Sequence, residues 1–174
     1  MKRRFLLFLL VALMTFSALA LSGCKAENSI PDAPNGYQMY YNNEIYFAYP
    51  SLWESQTING VTRLMPSAGG NNITVSKGEY HSNLDNLTVE SFNKYLLPSI
   101  TSSGMQVSNL TVKHDSTKGF DVSVINYNAS ITDLNMKQTI YMFKVNNGMY
   151  TIMVTEIIED LSLVRTVFNT LGID

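Results

Sequence analysis

Beyond Tyr37 the apolar residues of this chain recur mostly at every second position, the period of a half-buried strand. Ile45, Phe47 and Tyr49 alternate along residues 44–50, and Pro50 closes the run. Asn59-Gly60 separates residues 55–58 from 61–65 and predicts a tight hairpin, because both residues tolerate positive φ. A third run, 72–77, alternates after Gly69-Gly70, so short links imply antiparallel pairing. Residues 105–114 and 119–132 are rich in β-branched side chains. In the second of these, the apolar phase passes from Phe120, Val122 and Val124 to Ile125, Tyr127, Ala129 and Ile131. That change predicts either a bulge or a strand covered on both faces. Residues 137–145 and 149–155 flank an Asn146-Asn147-Gly148 turn and are apolar at odd and even positions, as central strands are.

Two segments have a helical period instead. Thr88 predicts an N-cap, with Glu90 in the positive first turn and Leu87 stapled onto Phe92. Val89, Phe92, Leu96 and Ile100 share one face of this helix, which Pro98 ends or kinks. From Asp160 a terminal helix carries a stripe of Leu161, Val164, Val167, Phe168 and Leu171, with Gly172 as its C-cap. Strands, a helix, four more strands and a last helix, without regular alternation, describe an α+β domain on an antiparallel sheet flanked by helices.

The first 24 residues follow another pattern. Lys2-Arg3-Arg4 precedes a run from Phe5 to Leu21 without one charge, and Leu21-Ser22-Gly23 leads directly into Cys24, the only cysteine. This is a secretory leader in three parts. Its last four residues resemble the lipobox of bacterial lipoproteins, which implies cleavage after Gly23, acyl chains of the palmitate kind on Cys24, and a mature N-terminus at that cysteine. Plain secretion and an uncleaved transmembrane helix are the competing readings, the latter because about 17 apolar residues sit at the lower edge of a bilayer span. Residues 1–23 are thus expected to be a signal peptide, 24–36 a lipidated end and polar tether, and 37–174 one domain. A dozen tether residues reach at most about 40 Å, which keeps the domain near an extracytoplasmic membrane surface.

Charge and cysteine content narrow the function. The leader holds three of the 12 basic residues and none of the 14 acidic ones, so the remainder carries a net charge of −5. Without clustered Lys and Arg, nucleic acid is not an expected partner. With Cys24 committed to lipid, the domain has neither a disulfide nor a thiolate metal site. No cofactor motif, phosphate loop or Gly-x-Ser-x-Gly elbow is present. His81 and His114 are the only histidines; His81 with Asp85, or His114 beside Asp115, offers an imidazole and a carboxylate. Solvated loop or strand-end positions are the simpler reading of both. The seven methionines beyond the leader read as core filling, and the Asn-x-Ser/Thr sequons at Asn72, Asn86, Asn109 and Asn128 as incidental in a bacterial route.

Tyr49-Pro50 followed by Trp53, the Asn-Gly hairpin, the mid-chain helix, the strand through Tyr150-Thr151-Ile152 and the terminal helix resemble the Mog1/PsbP-like family over residues 37–173. The resemblance implies a sheet with helices on both faces and a binding or assembly role without chemistry. Metal-binding residues of the photosystem members find no matching motif here.

Six aromatic residues, Tyr37, Tyr40, Tyr41, Tyr46, Tyr49 and Trp53, crowd the front of the domain. Alternation turns Tyr46 away from Phe47, so Tyr46 and Trp53 are the candidate partner contacts. The leading expectation is a membrane-anchored, noncatalytic module for an envelope protein partner. A lipid or small-ligand carrier, which needs an apolar cavity, and a hydrolase, which needs a convergent acid, base and nucleophile, are the alternatives.

Overall fold

The structure, a computed structural model, describes residues 30–174; the leader, Leu21, Ser22, Gly23, Cys24 and residues 25–29 of the tether lie outside the described residues. Two antiparallel sheets organise the domain. The smaller is β1 (Tyr37–Tyr41), β2 (Ile45–Pro50) and β10 (Gly172–Ile173), with β2 in the middle. The larger is built from β3 (Glu54–Ile58), β4 (Val61–Met65), β5 (Asn72–Glu79), β6 (Gln106–Asp115), β7 (Val122–Ile131), β8 (Leu134–Val145) and β9 (Gly148–Glu156), in the spatial order β3-β4-β5-β9-β8-β7-β6. The β3–β4 hairpin turns on Asn59 and Gly60, at φ +50° and +78°, as the dipeptide predicts. The strand after it pairs as expected, and β9 and β8 hold the centre of the sheet.

The phase change in β7 has a clear cause. Val122 and the half-buried Val124 pack into one core, while Ile125, Tyr127 and Ala129 pack into another on the opposite face. Pairing of β7 with β8 is uninterrupted, so the strand is straight and covered on both sides. The bulge lies next door in β6, where the register with β7 shifts between Ser108 and Thr111 and Asn109 takes φ +55°.

The face bearing Ile125 and Tyr127 is closed by α1 (Val89–Tyr95) and α2 (Leu97–Thr101). Thr88 caps α1 through a capping box: its Oγ1 accepts from Ser91 N–H at 3.1 Å, and Ser91 Oγ accepts from Thr88 N–H at 2.7 Å. Phe92 is fully buried with its ring tilted on Tyr127 at 5.8 Å, and Leu87 is buried beside it. Val89, assigned to this stripe from spacing, is instead 41% exposed, because the helix ends after two turns and only its Phe92 side meets the sheet. Pro98 breaks the helix and begins α2, where a missing N–H costs nothing.

The other face is closed by the small sheet and by α3 (Leu161–Thr170). Asp160 caps α3, accepting from Ser162 N–H at 3.1 Å and Leu163 N–H at 3.2 Å. Among the described residues, Leu163 and Val167 of this helix and Leu171 just after it are buried, with Val164 and Phe168 half-buried beside them. Gly172 is not the cap. The helix stops at an extended Leu171, and Gly172 enters β10 opposite Tyr46, whose ring occupies the space a Cβ would need.

One ion cluster ties the sheets together. The Glu44 carboxylate accepts from Lys77 Nζ at 2.6 Å and from Tyr150 Oη at 2.5 Å. Lys77, foremost, and Tyr150 hold it below the usual carboxylate range. The Lys77 stem crosses the bare backbone of Gly148 to make this contact. No helix among the described residues is long and apolar enough to cross a membrane.

Candidate functional site

The face of the large sheet under α3 is only partly covered. Register places Ser108, Asn128, Lys137 and Glu156 in one cross-strand row from β6 to β9, and Thr111, Asn126 and Thr139 in the next. Directly opposed side chains share a face, so these polar residues form a continuous floor. Helix α3 stands over the adjoining apolar row: Tyr141 Oη donates to the Val164 carbonyl at 3.0 Å, and its ring stacks on Phe168 at 5.5 Å. Two hollows lie along this floor, one between α3 and the edge strand β6 and one at its far end, and together they make a groove of two unjoined parts. Thr139 Oγ1 donates to Asn126 Oδ1 at 2.8 Å and fixes its floor.

The two ends of the groove differ. One is a hollow of about 290 Å³ between Val124, Tyr141, Val164 and Phe168, rimmed by Lys113, Asp115 and Arg165. The other, about 560 Å³, is lined by Asn128, Asn135, Lys137, Glu156 and Glu159. Lys137 Nζ lies 3.8 Å from Glu159. Glu156 is 2% exposed; Oε1 accepts from Asp160 N–H at 2.7 Å, while Oε2 has no partner among the described residues. Burial raises its carboxyl above the usual range, against the weaker pull of that N–H and of Lys137. The sequence signal for Glu156 was its phase: it continues the Tyr150, Ile152, Val154 alternation that faces the core.

A separate cavity of about 450 Å³ opens on the opposite face, lined by Tyr80, Asp85, His114, Asp121, Ser123 and Lys144 among others. His114 Nε2 lies 2.8 Å from the Leu87 carbonyl and therefore donates to it, and Nδ1 lies 3.3 Å from Ser123 Oγ. Neither histidine pairs with the carboxylate that spacing suggested. Asp85 accepts from the Tyr80 hydroxyl, and Asp115 from Thr117 N–H at 2.8 Å and Thr117 Oγ1 at 2.5 Å. The imidazole and Ser123 are thus brought to one cleft, with the ring oriented by a backbone carbonyl and no carboxylate. No group of three or more His, Cys, Asp or Glu side chains suited to a metal ion occurs among the described residues.

Tyr46 and Trp53 are set apart. Tyr46, near the start of β2, lies over Gly172, whereas Trp53 follows the far end of that strand and packs half-buried against the core beneath the small sheet. Tyr40 stacks on Phe47 at 5.0 Å, and Tyr49 is 7% exposed, so part of the front aromatic cluster is core.

No protein-family profile and no curated protein sequence matches the chain. Solved structures do. The solution structure of cyanobacterial PsbP (CyanoP) from Synechocystis sp. PCC 6803 superposes with a TM-score of 0.64 at 15% identity, covering 89% of this chain and 99% of that one. The fold is PsbP-like. A crystal structure of a Bacteroides thetaiotaomicron protein superposes with a TM-score of 0.50 at 12% identity, covering 75% of this chain and 45% of the other. At these identities it is the PsbP-like architecture that is shared, and the groove of this domain is described by its own residues.

Proposed function

We propose that this chain is a lipid-anchored, noncatalytic binding module on the extracytoplasmic face of a bacterial membrane, taking an envelope protein partner in the groove between α3 and β6. The groove carries the reading. It has an apolar hollow at a charged rim, a hydrogen-bonding floor and a far end with two glutamates and a lysine, the features that orient a peptide segment without transforming it. The lipobox ending in Cys24 supports the location, since two acyl chains hold a protein to a bilayer where one is marginal. The Ser123–His114 pair lacks an orienting carboxylate, which supports a binding role over hydrolysis. The apolar hollow, about 290 Å³, sits at the lower limit of pockets that enclose drug-sized ligands and is too small for a two-chain lipid.

The test is co-purification from native membranes. The wild-type chain should retain a reproducible envelope protein that Lys113→Glu with Arg165→Glu loses while the domain stays folded. The same partners with both chains, or none with either, would contradict the reading.

A further inference from the structure

We infer that the turn carrying Leu52 is the point at which the domain touches the bilayer, with Leu52 entering the boundary between headgroups and acyl chains of the membrane that holds the anchor. The inference rests on the anchored reading above. Leu52 is 90% exposed, more than any other large apolar side chain among the described residues, and it stands at the tip of a turn, where polar residues are the norm.

The chain toward Cys24 leaves the domain at this same turn. Tyr37 N–H donates to the Pro34 carbonyl at 3.0 Å, and Ser51 N–H donates to the Gly36 carbonyl at 3.0 Å. The root of the tether is thereby pinned beside Leu52. A tether of a dozen residues holds its root near the bilayer at a high effective concentration, and the surface next to that root meets lipid most often.

The backbone of the turn is also prepared for a water-poor setting. Trp53 N–H donates to the Pro50 carbonyl at 3.0 Å, and Gln38 Nε2 donates to the Ser51 carbonyl at 3.2 Å and to the Trp53 carbonyl at 3.3 Å. The N–H and C=O groups of Ser51 and Trp53 are already bonded within the protein, which lowers the cost of desolvating the turn as it approaches lipid. Burial of one leucine then favours contact by roughly tenfold or more, enough to orient a body that the anchor already holds. Trp53, half-buried at the base of the turn, comes to lie at headgroup depth.

Trp53 is the only tryptophan in the chain, so it reports the contact without a label. The mature lipidated protein, beginning at Cys24, is reconstituted into phosphatidylcholine vesicles with acyl chains brominated near their carbonyl end, and flotation and Trp53 emission are read together. Flotation with quenched emission, and with quenching lost in Leu52→Asp while flotation persists, is the expected result. Flotation without quenching, or quenching that survives Leu52→Asp, overturns the inference and leaves the anchor intact. Failure to float overturns the anchored reading, and the inference with it.

Discussion

Replacing Phe92 by alanine tests whether the second face of the large sheet is a true core or a loosely attached cover. Phe92 is fully buried among Leu87, Ile125 and Tyr127, with its ring 5.8 Å from that of Tyr127. A helix as short as α1 gains little from its own hydrogen bonds, so this one side chain supplies most of its grip on the sheet. Truncation of a buried Phe costs about 3–5 kcal/mol. For a domain of this size, roughly 2–4 °C of Tm accompanies each kcal/mol, which amounts to a fall of about 6–20 °C. Val89→Ala, one turn away and 41% exposed, should stay within about 0.5 kcal/mol. Urea unfolding followed by both circular dichroism and Trp53 fluorescence is the assay. Trp53 packs on the opposite face, so coincident transitions show that the two cores unfold together. A loss below about 1 kcal/mol for Phe92→Ala, or equal losses for the two variants, would refute the reasoning.

The buried Glu156 should make stability fall as pH rises. Its folded carboxyl is raised above 4.5, so the folded state keeps a proton that the unfolded chain releases; the benefit is complete below about pH 4.5 and is lost as pH climbs through the raised value. Glu156→Gln keeps an acceptor for Asp160 N–H, so it should gain on wild type at neutral pH and lose that gain in acid; an advantage that is constant with pH would contradict this. Thr132 holds φ +52° in the β7–β8 turn, a poor conformation for a β-branched residue, and Thr132→Asn should raise stability by about 0.5–1 kcal/mol in thermal unfolding. Cys24→Ala should abolish lipid labelling and detergent-phase partitioning while the circular dichroism spectrum of the domain is unchanged; retained partitioning would count against the anchor.

Most elements were legible because their signals are local. Asn59-Gly60 writes a turn type, Thr88 and Asp160 write caps, and the two-phase apolar pattern of β7 writes a strand between two cores. What escaped depends on contacts distant in sequence. Gly172 reads as a helix cap until Tyr46, 126 residues earlier, is seen across the β2–β10 ladder. Val89 satisfies the helical period, but a helix of two turns meets the sheet with only one side. The division of the strands between two sheets was likewise invisible, since β2 and β3 are adjacent in sequence and belong to different sheets. The groove is assembled from Ser108, Asn128, Lys137 and Glu156 on four strands, each an ordinary polar position by itself. Only the register that aligns them makes a site.

Photo-crosslinking from the groove addresses the binding reading most directly. A photoreactive residue at Asn128, on the groove floor, and another at Tyr95, exposed on α1, are introduced separately into the membrane-retained protein and irradiated in intact cells. The account predicts a discrete crosslink to one envelope protein from position 128 and none to that protein from position 95. Absence of any crosslink from the groove, or the same adducts from both positions, would contradict it.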